Sequence, residues 1–388
     1  MFGVVSQVGG QELLHERELG GISTGDFFNE AERQLNICNA CRYCEGYCAV
    51  FPALERRVLL TKGDMVHLAN LCHDCRDCYY ACPYSPPHPF SVNTPELFSE
   101  IRRQTYDDGL DVFDSRVPVA LKSWSGFLMG FIIVLVILVV VAWKTRGIGS
   151  IWASHAGPAS PYAVIPYAAI LIAALIPFLW SLISMTMAAR KYWHFTSQGN
   201  ASSANLRALF RAVVYAGELR YLKGGGAGCS YPKYETSSLR RRFHALTFYG
   251  FISLVVSTVS AGILQDILGS IPPYRFISIP VLFGTVGGVS MIVGCGGLII
   301  LKARTDPVPT NPQMIVRDYG FLVILGVLGV TGLLTLALRS TAAFGTAFVM
   351  HFSIVVIAFA VAPFTKFVHF IYRFLAIVRD NLEQGQKV

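Results

Sequence analysis

Eight of the ten cysteines form two runs with the same spacing, C-x2-C-x2-C-x3-C. The runs are Cys38, Cys41, Cys44, Cys48 and Cys72, Cys75, Cys78, Cys82, and Pro83 follows the second. Three thiolates at this spacing can bind one face of a [4Fe–4S] cluster, while the fourth cysteine of such a run ligates the other cluster. The spacing therefore predicts two clusters with crossed ligands. The predicted ligand sets are Cys38, Cys41, Cys44, Cys82 and Cys72, Cys75, Cys78, Cys48.

Zinc and disulfides are the other uses of closely spaced cysteines. Structural zinc sites usually separate two cysteine pairs by a dozen or more residues, whereas each run here spans only eleven residues. Disulfides need an oxidising compartment, and the N-terminal segment does not resemble a signal peptide. Spacing thus favours iron–sulfur clusters. The first run differs from the pattern because Ala49, and not proline, follows Cys48.

Composition indicates a membrane protein with an acidic soluble part. The chain is 53% hydrophobic and only 14% charged, and the apolar residues form long runs. Residues 1–120 contain 10 Lys/Arg and 17 Asp/Glu (net −7), and the remainder contains 22 and 7 (net +15). An acidic cysteine domain argues against nucleic acid as a partner. Reduced cluster ligands place that domain in the cytoplasm.

The predicted fold class is mostly α, with a small helical ferredoxin-like head followed by a six-helix transmembrane bundle. The head covers residues 1–122, in which 107–122 form the link, and the membrane domain covers 123–388. Each of six apolar stretches is near the ~20 residues that a bilayer requires. They are Trp124–Trp143, Tyr162–Met187, Phe243–Leu264, Phe276–Leu301, Tyr319–Leu338 and Thr346–Phe370. Pro363 predicts a kink or an early exit in the last stretch.

The charges of the connecting segments predict the orientation. Segments 188–242, 302–318 and the tail from Lys366 carry 10, 3 and 4 Lys/Arg. The opposite side has only Lys144, Arg146, Arg275 and Arg339. The positive-inside rule therefore places both termini, and the head, on the cytoplasmic side of a prokaryotic inner membrane.

Local patterns predict three head helices. One covers Asp26–Leu35, one leads into Cys72, and one runs from the N-cap Thr94 to about Tyr106.

The cytoplasmic segment 188–242 carries two further features. Apolar residues from Leu206 to Tyr221 recur at helical spacing, which predicts an amphipathic helix on the membrane surface or under the head; a solvated loop helix is the alternative. The run from Gly224 to Cys229 fits no phosphate-binding fingerprint and predicts a tight packing turn. Cys229 is expected to have no nearby thiol partner, and Cys295 is expected to fill space in the fourth span.

Two histidines are predicted to lie at the same depth on different spans. His244 opens the third span and His369 closes the sixth, both at the cytoplasmic face, as the axial ligands of a b-type haem would. One haem is favoured over two, because a second haem would need His351 near the outer leaflet to pair with His155.

The remaining histidines have plainer expectations. His351 is expected to be packed and hydrogen-bonded. His194 is an interfacial aromatic residue, a proton donor to a quinone, or an alternative haem ligand. The others are expected to be solvated or beside cluster ligands; they are His15, His67, His73 and His88.

With these motifs the chain resembles the tricarballylate-utilisation protein B family, also called the citrate-utilisation B family, over nearly its whole length. The matching pieces are the run from Cys38 to Cys48, the run from Cys72 to Pro83, Tyr221–Cys229, Arg241–His244 and Phe248–Phe251. The resemblance implies a membrane-bound electron carrier with two [4Fe–4S] clusters and haem b. It also implies transfer of electrons from the reduced flavin of an FAD-dependent, tricarballylate dehydrogenase-like partner to the quinone pool.

Catalysis on an organic acid would then belong to the partner, and whether this chain counts as an enzyme in its own right is left open. A quinone-linked subunit of another dehydrogenase, or of a heterodisulfide or fumarate reductase-like complex, is the alternative function. A transporter would place charged or broken helices in the membrane, and the six predicted stretches contain no acidic residue. A redox sensor would need no route from haem to quinone.

Overall fold

The computed structural model describes residues 24–108, 124–155, 157–197, 205–226 and 228–385. The predicted boundary between head and membrane domain at 122/123, His15 and Ala227 lie outside these ranges. Within them the fold is mostly α-helical, as predicted. The head helices are α1 Thr24–Cys41, α2 Val50–Glu55, α3 Lys62–Leu71, α4 Asp77–Tyr80 and α5 Thr94–Asp108.

The ends of the head helices follow from local hydrogen bonds. Helix α3 starts at a capping box in which the Thr61 side chain accepts from the Asp64 amide and the Asp64 carboxylate accepts from Thr61. Helix α5 is capped by Asn93, whose Oδ1 accepts from the Glu96 amide at 3.4 Å. The predicted cap, Thr94, is instead the first helical residue.

Six helices among the described residues are long and apolar enough to cross a membrane, which confirms the predicted number. They cover Trp124–Arg146, Tyr167–Ser197, Leu239–Ile267, Ile279–Ala303, Pro312–Ala337 and Phe344–Phe364. Most are longer than the predicted stretches. The third and fifth consequently include Asp266 and Asp318 near their ends, so the expectation of spans without acidic residues is wrong at these two positions.

The membrane domain has α6 Trp124–Arg146, α7 Ser160–Val164, α8 Tyr167–Ser197, α9 Leu206–Gly217, α10 Leu239–Gly262, α11 Ile279–Ala303, α12 Pro312–Ala337, α13 Phe344–Val361 and α14 His369–Gly385. Short 3-10 turns cover Ile148–Ile151, Arg220–Lys223, Ala362–Phe364 and Lys366–Val368, and a π-helical turn, Ile263–Ile267, extends α10. Strands β1 Cys229–Ser230 and β2 Thr236–Ser237 pair antiparallel.

The sixth span does not continue to Phe370. Helix α13 ends at Val361, Pro363 lies in a 3-10 turn, and α14 is a separate helix that begins at His369. Of the two outcomes that Pro363 predicted, the early exit is therefore the correct one. His369 starts a helix that packs against the head and does not end a straight span.

Helices α10 and α11 approach each other through glycine. A Cβ on Gly287 would lie 2.8 Å from the backbone oxygen of Gly250, and a Cβ on Gly250 would lie 3.0 Å from that of Gly287. Small residues at such contacts let membrane helices pack backbone to backbone.

The head and the membrane domain share one buried core. Leu68 of α3 and Phe98 of α5 lie in the same buried cluster as Tyr192 of α8 and Ala376 of α14. The Tyr106 ring of the head stacks on Tyr372 of α14, with centroids 5.6 Å apart. Burial of large apolar side chains on both sides fixes the head on the membrane domain.

Helix α9 occupies the position predicted for an amphipathic helix. Its small residues Ala208 and Ala212 are buried in the shared core, and the Asn381 side chain of α14 reaches the Ala208 carbonyl. Its larger apolar residues, including Leu206 and Phe210, are exposed. The helix thus packs on α14 through its small residues.

Candidate functional site

Four cysteines that come from both runs surround one cavity in the head. Cys38 and Cys41 lie at the end of α1, Cys44 lies in the following turn, and Cys82 follows α4. Together with Tyr43 and Tyr84 they line a cavity of about 370 Å³. We call these four cysteines the outer set.

The other four cysteines line a second cavity, of about 410 Å³. Cys72 caps the end of α3, and the loop after it contains Asp74 and Arg76 in the left-handed backbone region. This conformation turns the chain sharply between successive cysteines. The members of this second group, the inner set, are Cys48, Cys72, Cys75 and Cys78. Cys78 also borders the outer cavity.

The two cavities group the cysteines as the cross-over pattern predicts. The inner cavity is lined by the four thiols of its set, and the outer cavity by the four of its set together with Cys78. Within the described ranges no group of three His, Cys, Asp or Glu side chains is arranged to hold a single metal ion. Four thiols are the donor set of a [4Fe–4S] cluster, and all ten cysteines are free of disulfides. The donor chemistry of each set therefore fits one cluster, and the ligand assignment stays a prediction.

Burial keeps several of these thiols protonated in the absence of iron. It raises the pKa of Cys38 to about 11 and the pKa of Cys44 and Cys48 to about 12, with neighbouring thiols adding to the shift. Burial and neighbouring thiols also raise the pKa of Cys75 and of Cys78 well above its usual value. Because thiolates bind iron, cluster assembly must release these protons.

The loop that carries the inner set is hydrogen-bonded to the membrane domain on several sides. Arg373 of α14 donates to the carbonyl of Cys72 at 2.9 Å, and Arg240 of α10 donates to the carbonyl of Asp74. From the head side, Arg76 donates to the carbonyl of Asp306 at 2.8 Å. The inner set therefore lies at the boundary between the two domains.

The glycine run forms the predicted packing turn, and its partner is the carboxylate of Asp77. This carboxylate accepts from the Ser230 amide at 2.7 Å and from the Gly225 amide at 3.3 Å. Gly224 has φ +54°, and a Cβ there would lie 2.3 Å from the Asp77 carboxylate. Only glycine allows this close approach.

The expectation that Cys229 has no thiol nearby is wrong. Cys229 lies in one buried cluster with Cys75 of the inner set and with Tyr231. Its thiol donates to the Leu222 carbonyl at 3.4 Å. Strand β1 brings the two cysteines together, a long-range contact that sequence spacing does not reveal. Cys295 is buried in a packed cluster with Met291 and Leu325.

His244 and His369 both lie next to the head. The ring nitrogen Nδ1 of His369 lies 2.7 Å from the carbonyl of Lys366 and donates to it in the matching tautomer, which leaves Nε2 free. Nδ1 of His244 is buried and has no hydrogen-bond partner among the described residues. Burial and the nearby charges of Lys366, Arg373 and His244 lower the pKa of His369 well below its usual value. A neutral imidazole is the form that binds iron.

An arginine accompanies each of these histidines at helical spacing. Arg240 precedes His244 by four residues on α10, and Arg373 follows His369 by four residues on α14. Residues four apart share one helix face. Both arginines contact the loop of the inner set. Neither arginine is among the predicted site residues, although the spacing of each from its histidine is visible in the sequence.

The other predicted histidines lie apart from this pair. His351 shares a hydrogen bond with the Thr331 hydroxyl at 2.9 Å, while His194 is exposed at the end of α8. In the head, His67 is fully buried and its ring nitrogens have no hydrogen-bond partner among the described residues, so it is not solvated. His73 lines the inner cavity and packs against Tyr221, with ring centroids 5.3 Å apart.

A buried ion-pair group adjoins the turn before His369. Asp318 of α12 binds Lys302 of α11 at 2.6 Å and also binds Lys366. Burial lowers the pKa of Lys366 to about 8, although the charge of Asp318 opposes this shift. The group ties α11 and α12 to the segment whose carbonyl holds the His369 ring.

The chain is similar to known proteins over most of its length. Residues 123–388 match the family model described as citrate utilization protein B, and residues 31–108 match its Fer4-like domain. A protein from Escherichia coli named citrate utilization protein B is 34% identical over 360 residues, which cover 92% of each chain. No solved structure matches the chain. The chain therefore belongs to the citrate utilization protein B family, membrane proteins with an N-terminal Fer4-like domain.

Proposed function

We propose that this protein is a membrane-bound electron carrier that takes electrons from the reduced flavin of a partner dehydrogenase and passes them through two [4Fe–4S] clusters and haem b to the quinone pool. One observation carries the proposal: the inner set is hydrogen-bonded to the two helices that carry His244 and His369. Redox centres held in such contiguous contact can pass electrons one at a time from the head into the membrane domain.

In this proposal the outer and inner sets each ligate one cluster. His244 and His369 would hold the haem iron, and the Lys366 carbonyl would orient the His369 ring so that Nε2 faces the iron. The hydrogen bond to Thr331 makes His351 a weaker candidate for a second haem. His194, exposed at the head end of α8, is a candidate to donate a proton to quinone.

The partner is proposed to be an FAD-dependent dehydrogenase, similar to tricarballylate dehydrogenase, that oxidises a tricarboxylic acid. The family resemblance supports this substrate class, and the name of the Escherichia coli relative refers to citrate utilization. A reduced flavin delivers two electrons, whereas a cluster or a haem carries one, so a chain of one-electron centres converts between the two. Neither an organic substrate nor nucleic acid is expected to bind this chain.

Orientation follows from charge in the same proposal. The basic connecting segments support a cytoplasmic location for the head and both termini. Because His244 and His369 adjoin the head, quinone would be reduced in the cytoplasmic half of the bilayer. Protons would then come from the side that also supplies the electrons, so turnover would build no membrane potential.

Proteoliposomes containing this protein, the partner dehydrogenase, its acid substrate and a soluble quinone test the proposal. We expect quinone reduction that depends on the acid and generates no membrane potential. Replacement of Cys72 by serine should abolish it, whereas Cys295→Ser, at a buried cysteine outside both sets, should not. Full activity of the Cys72→Ser protein would contradict the proposal.

A further inference from the structure

We propose that the two cysteine sets have fixed, different roles: the outer set receives electrons and the inner set delivers them, because buried and half-buried arginines raise the reduction potential of the inner cluster above that of the outer one. The inference rests on the proposed function, since it requires both clusters to be present. It concerns the direction of electron flow through the head.

Solvent access separates the two sets. Cys41 of the outer set is exposed, and Tyr43 at the rim of its cavity is 61% exposed. In the inner cavity Cys75 and Phe98 are buried. A soluble partner can bring a flavin close to the outer set, whereas the membrane domain covers the inner set.

Charge also distinguishes the inner set from the outer set. Four arginines surround the inner set: Arg76 and Arg102 are buried, and Arg240 and Arg373 are half-buried. Arg76 lines the inner cavity, and Arg373 and Arg240 donate to the carbonyls of Cys72 and Asp74.

Two carboxylates partly offset these cations. Asp74 lies 3.8 Å from Arg76, and Asp77 is held by backbone amides of the glycine turn. Four arginines against two aspartates leave an excess of two positive charges beside the inner set. For the outer set, burial and neighbouring thiols dominate the environment, and Asp77 adds negative charge near Cys44.

The excess positive charge favours reduction of the inner cluster. Reduction adds one negative charge to a cluster, and buried cations stabilise that charge far more than exposed ones do. One electron therefore passes favourably from the outer set, which is oxidised, to the inner set, which is reduced. The dihydroflavin of the partner supplies the electron and the oxidised haem accepts it, and no covalent bond or proton changes at the cysteines.

A redox titration of the purified protein, followed by EPR, tests the order of potentials. A water-soluble dysprosium complex identifies the outer cluster, because it accelerates relaxation of the more exposed centre. We expect the other, inner cluster to be reduced at the higher potential. Arg373→Gln and, as a second site, Arg102→Gln should shift the inner midpoint to more negative values and leave the outer midpoint unchanged.

Two controls separate charge from structure. Arg373→Lys keeps the cation and should keep the inner midpoint close to the native value. Arg379 lies on the same helix and pairs with Glu383 and Asp64. Arg379→Gln removes this cation and should move neither midpoint. Equal potentials in the native protein, or an unchanged inner midpoint in both glutamine variants, would overturn the inference while the proposed function stands. A preparation with no cluster signal would overturn both.

Discussion

Arg373 of α14 donates a hydrogen bond from Nη2 to the backbone carbonyl of Cys72, at 2.9 Å. The bond joins the loop that carries the inner set to α14, and His369 lies one helical turn from Arg373 on that helix. Arg240 makes the corresponding bond from the helix that carries His244. One face of each helix therefore contacts the cluster loop and carries a histidine, and on the α14 side this requires the preceding helix, α13, to end before His369.

The cross-over of ligands predicts which cluster depends on Cys82. This cysteine comes from the second run, but it lines the cavity of the outer set. Cys82→Ser should therefore damage the outer cluster and lower the cluster iron content from about eight atoms towards four, since each cluster holds four. Iron analysis and EPR check this. Loss of the inner signal alone would show that the run, and not the cavity, defines the ligand set.

The proposed ligation of haem by His244 and His369 leads to a prediction about the optical spectrum. His244→Ala and His369→Ala should each abolish the low-spin b-type absorption, because each removes one of the two proposed haem ligands, and both clusters should remain. His351→Ala should retain the haem, since that ring is engaged by Thr331. Optical spectra of the purified variants decide the matter. An unchanged spectrum of either His244→Ala or His369→Ala would direct attention to His194 and His351.

Sequence reasoning succeeded where the signal is local. The spacing of Cys38 to Cys48 and the long apolar runs are determined by a few neighbouring residues, and both have counterparts in the structure. It failed where distant segments meet. The contact of Cys229 with Cys75 depends on how β1 packs against the head, and apolar periodicity could not distinguish a kink at Pro363 from the end of the span.

Asp64 predicts a loss of stability in acid. Burial alone would raise the pKa of its carboxyl group, but hydrogen bonds from Thr61 and Arg57 and the charge of Arg57 outweigh burial, and the pKa is lowered. A lowered folded-state pKa contributes stability that is complete above the unfolded value, about 3.9, and is lost as pH falls through the folded value.

The melting temperature of Asp64→Asn should therefore lie below that of the native protein at pH 6, and the gap should shrink as pH falls from 5 towards 3. Circular dichroism in detergent measures both. Glu32→Gln, which alters an exposed acid on α1, provides the control and should behave as the native protein. A gap that stays constant over this range would show that Asp64 is not the group responsible.

A substitution at Gly224 tests how strongly the glycine turn stabilises the loop that carries the inner set. Alanine at this position would adopt a sparsely populated backbone conformation, with φ +54° and ψ −144°, at a cost of roughly 1–3 kcal/mol, and its Cβ would overlap the carbonyl oxygen of Gly228 at 2.0 Å. Gly224→Ala should therefore push the turn away from Asp77 and lower the melting temperature followed by the visible iron–sulfur absorbance. Gly46→Ala is the matched control, because Gly46 lies within the first cysteine run and a Cβ there meets nothing within 4 Å. Equal melting of the two variants would mean that the contact between the turn and Asp77 does not stabilise the inner set.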